Sequence, residues 1–288
     1  MKPPPFAFKR AASVDEAVAL LAEAGDEAKL IAGGQSLVPL LAFRLARPSH
    51  LIDISSVATA RGLHREDGAL RIGALTRHRD LETSNGLTGC HRALREAAAH
   101  IGHLPIRSVG TLGGSIAHAD PAAELPTTLI ALNARIIMRS LSGERTMAGE
   151  DFFTGPFMTE LEPDEMVVGV DIPDVAGVTS AFEEIRYRSG DFAIAATAVA
   201  LGSDSTGRVV EPRIALAGVG PCPARAQTAE QSLVGRFLEP AVIAEAARAA
   251  ADDCDPPTDN HASAAYRREL VAVTVGRALH RLAAEVDR

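Results

Sequence analysis

Apolar residues recur along the first part of the chain in two rhythms, one near four and one near two. Ser13-Val14-Asp15-Glu16 opens a run of helical period that Gly25 closes. The spacing predicts a capping box, in which the Ser13 hydroxyl accepts the amide three residues on while the Glu16 carboxylate reaches back. A short apolar strand, 28-AKLIA-32, then runs into Gly33-Gly34, and Leu51–Ile54 is a second strand after a polar loop around Pro48. Residues 69-ALRIGAL-75 read as a third strand, after which Thr76 is placed to cap a short helix. In 91-HRALREAAAHIG-102, Leu94, Ala97, Ala98 and Ile101 share one helical face, and 122–139 reads as a helix followed by a strand. The segment 164-DEMVVGVDIP-173 is a strand ended by proline.

From about Val175 the rhythm changes. Residues 181–187, 192–201 and 208–219 are consecutive strands, with Ser205-Thr206-Gly207 as the turn between the second and third. Two helices follow, the last over about 264–286 with Val271, Val275, Ala278 and Leu282 as its buried stripe. The pattern predicts an α+β protein in two domains, 1–176 and 177–288. The second is a small unit of sheet plus helices.

Composition narrows the function. With 288 residues, 47% hydrophobic and 23% charged, the chain is an ordinary globular one. A formal net charge of -8 and the lack of a basic stripe argue against nucleic acid. The chain has no apolar run of membrane-spanning length, and MKPPPFAFKR lacks the apolar core of a signal peptide, so a cytoplasmic protein without membrane insertion is expected. Cys90, Cys222 and Cys254 are too scattered in sequence for a metal site or a disulfide framework. His100-x-x-His103 has the spacing of a metal pair, but no third ligand follows nearby, and Asp252-Asp253 and Arg267-Arg268 read as solvated faces.

The candidate chemistry lies in two glycine pairs. Glycine lets successive amides converge on an anion and lets a phosphate come close without a basic side chain. Gly33-Gly34-Gln35-Ser36 follows a strand; Gly113-Gly114-Ser115 sits between a helix and another helix. Neither matches a P-loop or a G-x-G-x-x-G fingerprint.

These stretches carry a resemblance. Ala32-Gly33-Gly34-Gln35-Ser36-Leu37-Val38-Pro39 is similar to the pattern A-G-G-[QH]-S-L-[VIL]-P of the FAD-binding medium subunits of the molybdenum hydroxylases, the family of carbon monoxide dehydrogenase and the xanthine dehydrogenases. 107-RSVGTLGGSIAHADP-121 resembles that family's R-N-x-G-T-[IL]-G-G segment, and Arg188-Ser189-Gly190-Asp191-Phe192-Ala193 its R-x-G-D-[FYW]-A segment. The resemblance spans the chain. It implies a two-part flavin domain of the vanillyl-alcohol oxidase (PCMH) type followed by the carbon monoxide dehydrogenase flavoprotein carboxy-terminal domain. It also implies FAD on this chain, wrapped at its pyrophosphate by Ala32 to Leu37 and by Gly110, Thr111 and Gly113 to Ser115.

By the same resemblance Glu124 stands near the adenosine ribose, and Ile101, Gly102, Met166 and Val167 lie where the chain passes the isoalloxazine. Asp191 and Phe192 bring an aromatic from the second domain to the ring, and His118 belongs to the second motif. Taken alone, Asp120-Pro121 is a turn starter and His118 a partner for backbone groups. Two positions depart from the pattern: Ser108 replaces the usual asparagine, and Glu184 stands where lysine is frequent.

The implied function is electron transfer, with no catalytic acid or base and no metal on this chain. A small partner would carry two [2Fe-2S] clusters and a large partner the molybdopterin cofactor, in a dimer of heterotrimers. Two other readings remain open at the level of sequence: a self-sufficient FAD-dependent oxidase or dehydrogenase, and a non-catalytic nucleotide-binding or assembly module.

Overall fold

The computed structural model describes residues 2–286. The chain opens with β1 (Ala7–Arg10), α1 (Val14–Ala24), β2 (Ala28–Ile31), α2 (Leu37–Ala42) and β3 (His50–Asp53). The three strands form a parallel sheet in the order β1-β3-β2, with α1 packed on β2 and β3. Ser13 caps α1 as expected, accepting the Glu16 amide at 3.1 Å, but the Glu16 carboxylate reaches one residue further back, to the Ala12 amide at 2.7 Å. Gly25 closes the helix at φ 64°, a conformation favouring glycine.

A second layer follows: β4 (Leu63–Glu66), β5 (Ala69–Gly73), α3 (His78–Glu82), α4 (Arg92–His100), α5 (Leu104–Arg107), α6 (Leu112–His118) and α7 (Glu124–Ala131). It is completed by β6 (Arg135–Ser140), β7 (Gly143–Ala148), α8 (Gly149–Phe152), the small hairpin β8 (Phe153–Gly155) and β9 (Met158–Thr159), and β10 (Met166–Pro173). The five longer strands form an antiparallel sheet, β4-β5-β10-β6-β7. Thr76 does not cap α3. Its hydroxyl is exchanged with the backbone of Gly62 (3.0 and 3.2 Å), and the Asp80 carboxylate accepts the Arg77 amide instead.

The last layer is the antiparallel sheet β11 (Val178–Arg186), β12 (Ala193–Ser203), β13 (Val209–Ala217) and β14 (Ala224–Arg225), covered by α9 (Gln227–Leu233), α10 (Pro240–Asp252) and α11 (Ala264–Val286). Three helices thus follow the strands, not two; α9 is a polar heptad, QTAEQSL, whose amide at Thr228 is capped by Asp253 at 2.8 Å. The α11 stripe is as predicted: Val271, Val275, Ala278 and Leu282 are all fully buried.

β12 is buried on both faces, and its period-two alternation says why. Ala196, Ala198 and Ala200 face the core built on α4 and α7, while Ala195, Val199 and Leu201 face α9 to α11. Small alanines let helices of the first part approach closely. One apolar core therefore runs from the five-stranded sheet into the last sheet, and ordering either part supports the other. Arg267 is no solvated charge: it is 4% exposed and ties α11 to the Ile194 and Gly218 carbonyls (2.6 and 2.8 Å) and to Asp259 (2.7 Å). Among the described residues no helix is long and apolar enough to cross a membrane.

Candidate functional site

The two glycine motifs, 77 residues apart by Gly33 and Gly110, meet in space: a Cβ added to Gly33 would lie 2.2 Å from the Val109 carbonyl oxygen and 2.9 Å from the Gly110 Cα. Gly33 is glycine because another backbone occupies its side-chain position. Gly34 adopts φ +69°, turning the chain out of β2 and into α2. Among the described residues nothing accepts from the amides of Gly33, Gly34, Gln35 or Ser36, and the Ser36 side chain makes no capping bond. The Gln35 side-chain amide pins the turn by donating to the Gly33 carbonyl at 3.0 Å. Four consecutive amides without a protein acceptor, beside a free hydroxyl, are available to an anion.

The second motif contributes differently. Gly113-Gly114-Ser115 lies inside the first turn of α6, capped by Thr111, and not in a loop between helices. Its amides are already used: Leu112 donates to Thr76, Gly113 to Ala74 at 2.7 Å, Gly114 to the Thr111 hydroxyl at 3.2 Å and Ser115 to Thr111. Gly113 is a packing glycine, since its Cβ would stand 2.6 Å from that of Ala74, and a Cβ on Gly110 would meet the His78 ring at 2.9 Å. Only Gly114 presents a bare, exposed face, its Cβ position touched by the Thr111 hydroxyl alone. His78, which nothing in its sequence neighbourhood singles out, lies beneath this motif: its Nε2 contacts the Thr111 carbonyl at 2.9 Å and the Ser115 hydroxyl at 3.2 Å. Burial pushes the His78 pKa down to about 4, so the ring is neutral there.

Ile101 and Gly102 form a turn after α4, with Gly102 at φ +46°. Arg107, the first residue of the second motif, donates to both of their carbonyls (3.0 and 2.9 Å) and holds Glu82 with its other edge at 2.9 and 3.2 Å. The fork geometry of the guanidinium is what lets one side chain do both. Arg107→Met is expected to cost about 2–3 kcal/mol, because two carbonyls lose their donor and the half-buried Glu82 carboxylate keeps only Arg79. Arg107→Lys should recover less than half, as read by denaturant midpoints.

The remaining predicted positions divide. Phe192 is 64% exposed, not a core aromatic, and borders with Asp191 and Tyr187 an interdomain cleft of about 1050 Å³ whose other wall includes Phe157, Asp120 and Pro121. The His118 ring meets that of Phe157 at 5.1 Å, tilted by 45°, and Asp120 starts a turn by accepting the Ala122 amide at 2.9 Å. Met166 and Val167 are buried in two different cores, leaving only their backbone, with a register shift just after Val167, to face a ligand. Glu124 is 5% exposed, and burial, with Glu184 as its next influence, lifts its pKa to about 8.

His103 packs against Gly190, where a Cβ would lie 2.4 Å from its ring, and His100 turns its Nδ1 toward Glu184 Oε2 at 3.7 Å, so the two rings face different neighbours. Cys90, His91 and Asp174 do come within 4.8 Å of one another, a cluster invisible in sequence, but Arg65 already pairs with Asp174.

Comparison with known proteins places the whole chain. Residues 4–175 match the FAD binding domain in molybdopterin dehydrogenase, and residues 180–282 the CO dehydrogenase flavoprotein C-terminal domain. The chain is 44% identical to the 6-hydroxypseudooxynicotine dehydrogenase complex subunit alpha of Paenarthrobacter nicotinovorans, covering 98% of this chain and 97% of that one. It is similar to the solved carbon monoxide dehydrogenase of Hydrogenophaga pseudoflava (39% identity, 97% and 98% coverage, TM-score 0.93). It is likewise similar to quinoline 2-oxidoreductase of Pseudomonas putida 86 (37% identity, 99% of both chains, TM-score 0.93).

Proposed function

The chain belongs to the FAD-binding medium subunits of the molybdenum hydroxylases, and from that premise we propose that it passes electrons from an iron–sulfur partner through FAD to an external acceptor. The observation that carries the reading is the contact between the two glycine motifs, with four unpartnered amides on one and the bare Gly114 on the other. Amides 33–36 and the Ser36 hydroxyl would hold the pyrophosphate, Gly114 would let it approach α6, and the Ser115 hydroxyl would donate from the side. The Ile101–Gly102 turn, fixed by Arg107, would form one wall for the isoalloxazine, and Phe192 would cover the ring from the second domain.

FAD supplies the conversion between single electrons taken in and pairs handed on. The chain's own work is to bind, orient and shield. The relatives bear names of enzymes acting on carbon monoxide, quinoline and 6-hydroxypseudooxynicotine, at near-equal coverage of this chain. That diversity fits a subunit that does not hold the organic substrate, which a large molybdopterin partner would bind while a small partner with two [2Fe-2S] clusters relays the electrons. The full complex would be a dimer of heterotrimers.

Purified alone after exposure to FAD, the chain should hold one flavin, be bleached by dithionite, and leave nitrogen-heterocyclic substrates untouched. A chain that binds no flavin would overturn the reading. One that oxidises such substrates unaided would replace it with a self-sufficient oxidase.

A further inference from the structure

Three aromatic side chains stand exposed on the interdomain cleft: Phe157 at 58%, Tyr187 at 73% and Phe192 at 64%. Its volume of about 1050 Å³ is that of a small-molecule site. Phe157 holds a backbone φ of 59°, a left-handed value that bulky residues rarely adopt, and its amide is tied there to the Ala119 carbonyl at 3.0 Å. Packing does not account for this residue, since the ring is mostly in solvent and glycine would hold the same turn without strain.

The cleft is joined to the Ile101–Gly102 turn by contacts of the second domain. Gly190 lies on the cleft lining and presses on His103, the residue after the turn, where its Cβ would stand 2.4 Å from the ring. Arg186, at the end of β11, donates to the His100 carbonyl on the other side of the turn at 2.6 Å. The loop 187–192 is thereby fixed beside the turn, and it carries Tyr187, Asp191 and Phe192 into the cleft wall.

Charge decides what such a cleft accepts. Asp120, Asp191, Asp255 and Asp259 all lie on its lining. Arg267 is spent on the Ile194 and Gly218 carbonyls and on Asp259, at 2.6, 2.8 and 2.7 Å, and Arg268 pairs with Asp255 at 3.3 Å. Arg188 lies 5.8 Å over the Tyr187 ring. Among the described residues no basic side chain pairs with Asp120 or Asp191, and His261 is the remaining basic group on the lining. A nucleotide's phosphates would meet carboxylates of their own sign there, whereas a flat uncharged ring meets aromatic faces.

We propose that this cleft is the exit port for electrons and takes a flat, uncharged redox ring of the quinone class, not a nucleotide. The inference rests on the electron-transfer reading above and adds to it the class of the acceptor. In the step, two electrons leave the reduced flavin, two of its N–H bonds break, and the quinone's two carbonyls become hydroxyls with those protons. Phe157 and Tyr187 flank the acceptor ring; Asp120 and Asp191 turn anions away.

The test is a calorimetric titration of the whole flavin-loaded chain kept oxidised, so that binding is read without turnover. Naphthoquinone should bind one to one, at least about tenfold more tightly than its sulfonate or NAD. Phe157→Gly suits the backbone at φ 59° and should weaken naphthoquinone at least about tenfold with FAD content unchanged. Tyr187→Ser, at an exposed position, should weaken it in the same direction. Asp120→Asn combined with Asp191→Asn should leave naphthoquinone unaffected and bring the sulfonate to within about threefold of it. Absence of naphthoquinone binding, equal affinity for the sulfonate or NAD, or full affinity in both wall variants overturns the port. If the chain takes up no FAD, the underlying functional reading fails instead, and the same titration on the flavin-free chain decides whether the cleft selects the uncharged ring.

Discussion

Gly114→Asp is expected to abolish FAD binding while the protein still folds. The new Cβ meets only the Thr111 hydroxyl, at 2.9 Å, and the position is exposed in the first turn of α6. The structural cost is therefore at most the loss of one helix cap, about 1 kcal/mol. The carboxylate, in contrast, would stand where the pyrophosphate approaches, and two like charges without an intervening cation should weaken affinity at least about a hundredfold, roughly 3 kcal/mol. Gly114→Ala is the informative control: it adds the Cβ without the charge and should stay within a few fold of wild type. Gly33→Asp should also remove FAD, but for a less specific reason, since its Cβ collides with the Val109 carbonyl and parts the two motifs. Equilibrium titration with FAD, with denaturant unfolding of each variant, separates these cases; a folded Gly114→Asp chain with unchanged affinity would remove the cradle from the account.

Stability of the flavin-free chain should fall steeply as pH rises from about 5 to 8. Glu124 and Glu184 bind their protons more tightly in the folded state, at about 8 and about 7, than at their ordinary value of 4.5. The folded state therefore holds the extra protons over this window. Their contribution is complete below about pH 4.5 and is lost as pH climbs through the two folded values, by about 1.4 kcal/mol per pH unit for each carboxyl. Glu124→Gln and Glu184→Gln should each remove about one group's share of the slope. Groups with depressed values, such as Asp259 at about 2, work in the opposite sense and only at lower pH. Urea midpoints at pH 5, 6, 7 and 8 measure this, and identical slopes in wild type and both glutamine variants would show that the buried acids are not neutral.

Local signals in the chain read well where they depended on neighbours in sequence. Ser13 and Gly25 bounded α1, the alternation in 193–203 marked a strand, and the four-and-three spacing of Val271 to Leu282 marked the face of α11. The glycine pairs were legible as motifs, but their contact was not, because it joins positions far apart in the chain and depends on Val109, a residue with no chemical signature. Nor could the pattern show that Gly113 serves packing on Ala74 while Gly114 stays open, since both are simply glycine until α6 is placed. The two buried glutamates were hidden for a related reason. Charged residues read as solvated by default, yet Glu184 and Glu124 are buried because α4, α7 and β11 close over them, as Arg267 is buried by the loops it binds. α9 escaped notice because its polar heptad carries too few apolar residues for a helical stripe.

Division of labour among subunits is the central claim, and one measurement reaches it most directly. The complex is assembled with the Gly114→Asp chain in place of wild type, and the organic substrate is added while iron–sulfur and flavin absorbance are followed together. Electrons should still enter, so the iron–sulfur absorbance should bleach as in the wild-type complex, while turnover with the physiological acceptor should fall to background. Artificial dyes are unsuitable, because they can draw electrons from the clusters directly. Persistent turnover with the physiological acceptor in a flavin-free complex, or failure of the clusters to bleach, would contradict the assignment of this chain as the exit for electrons.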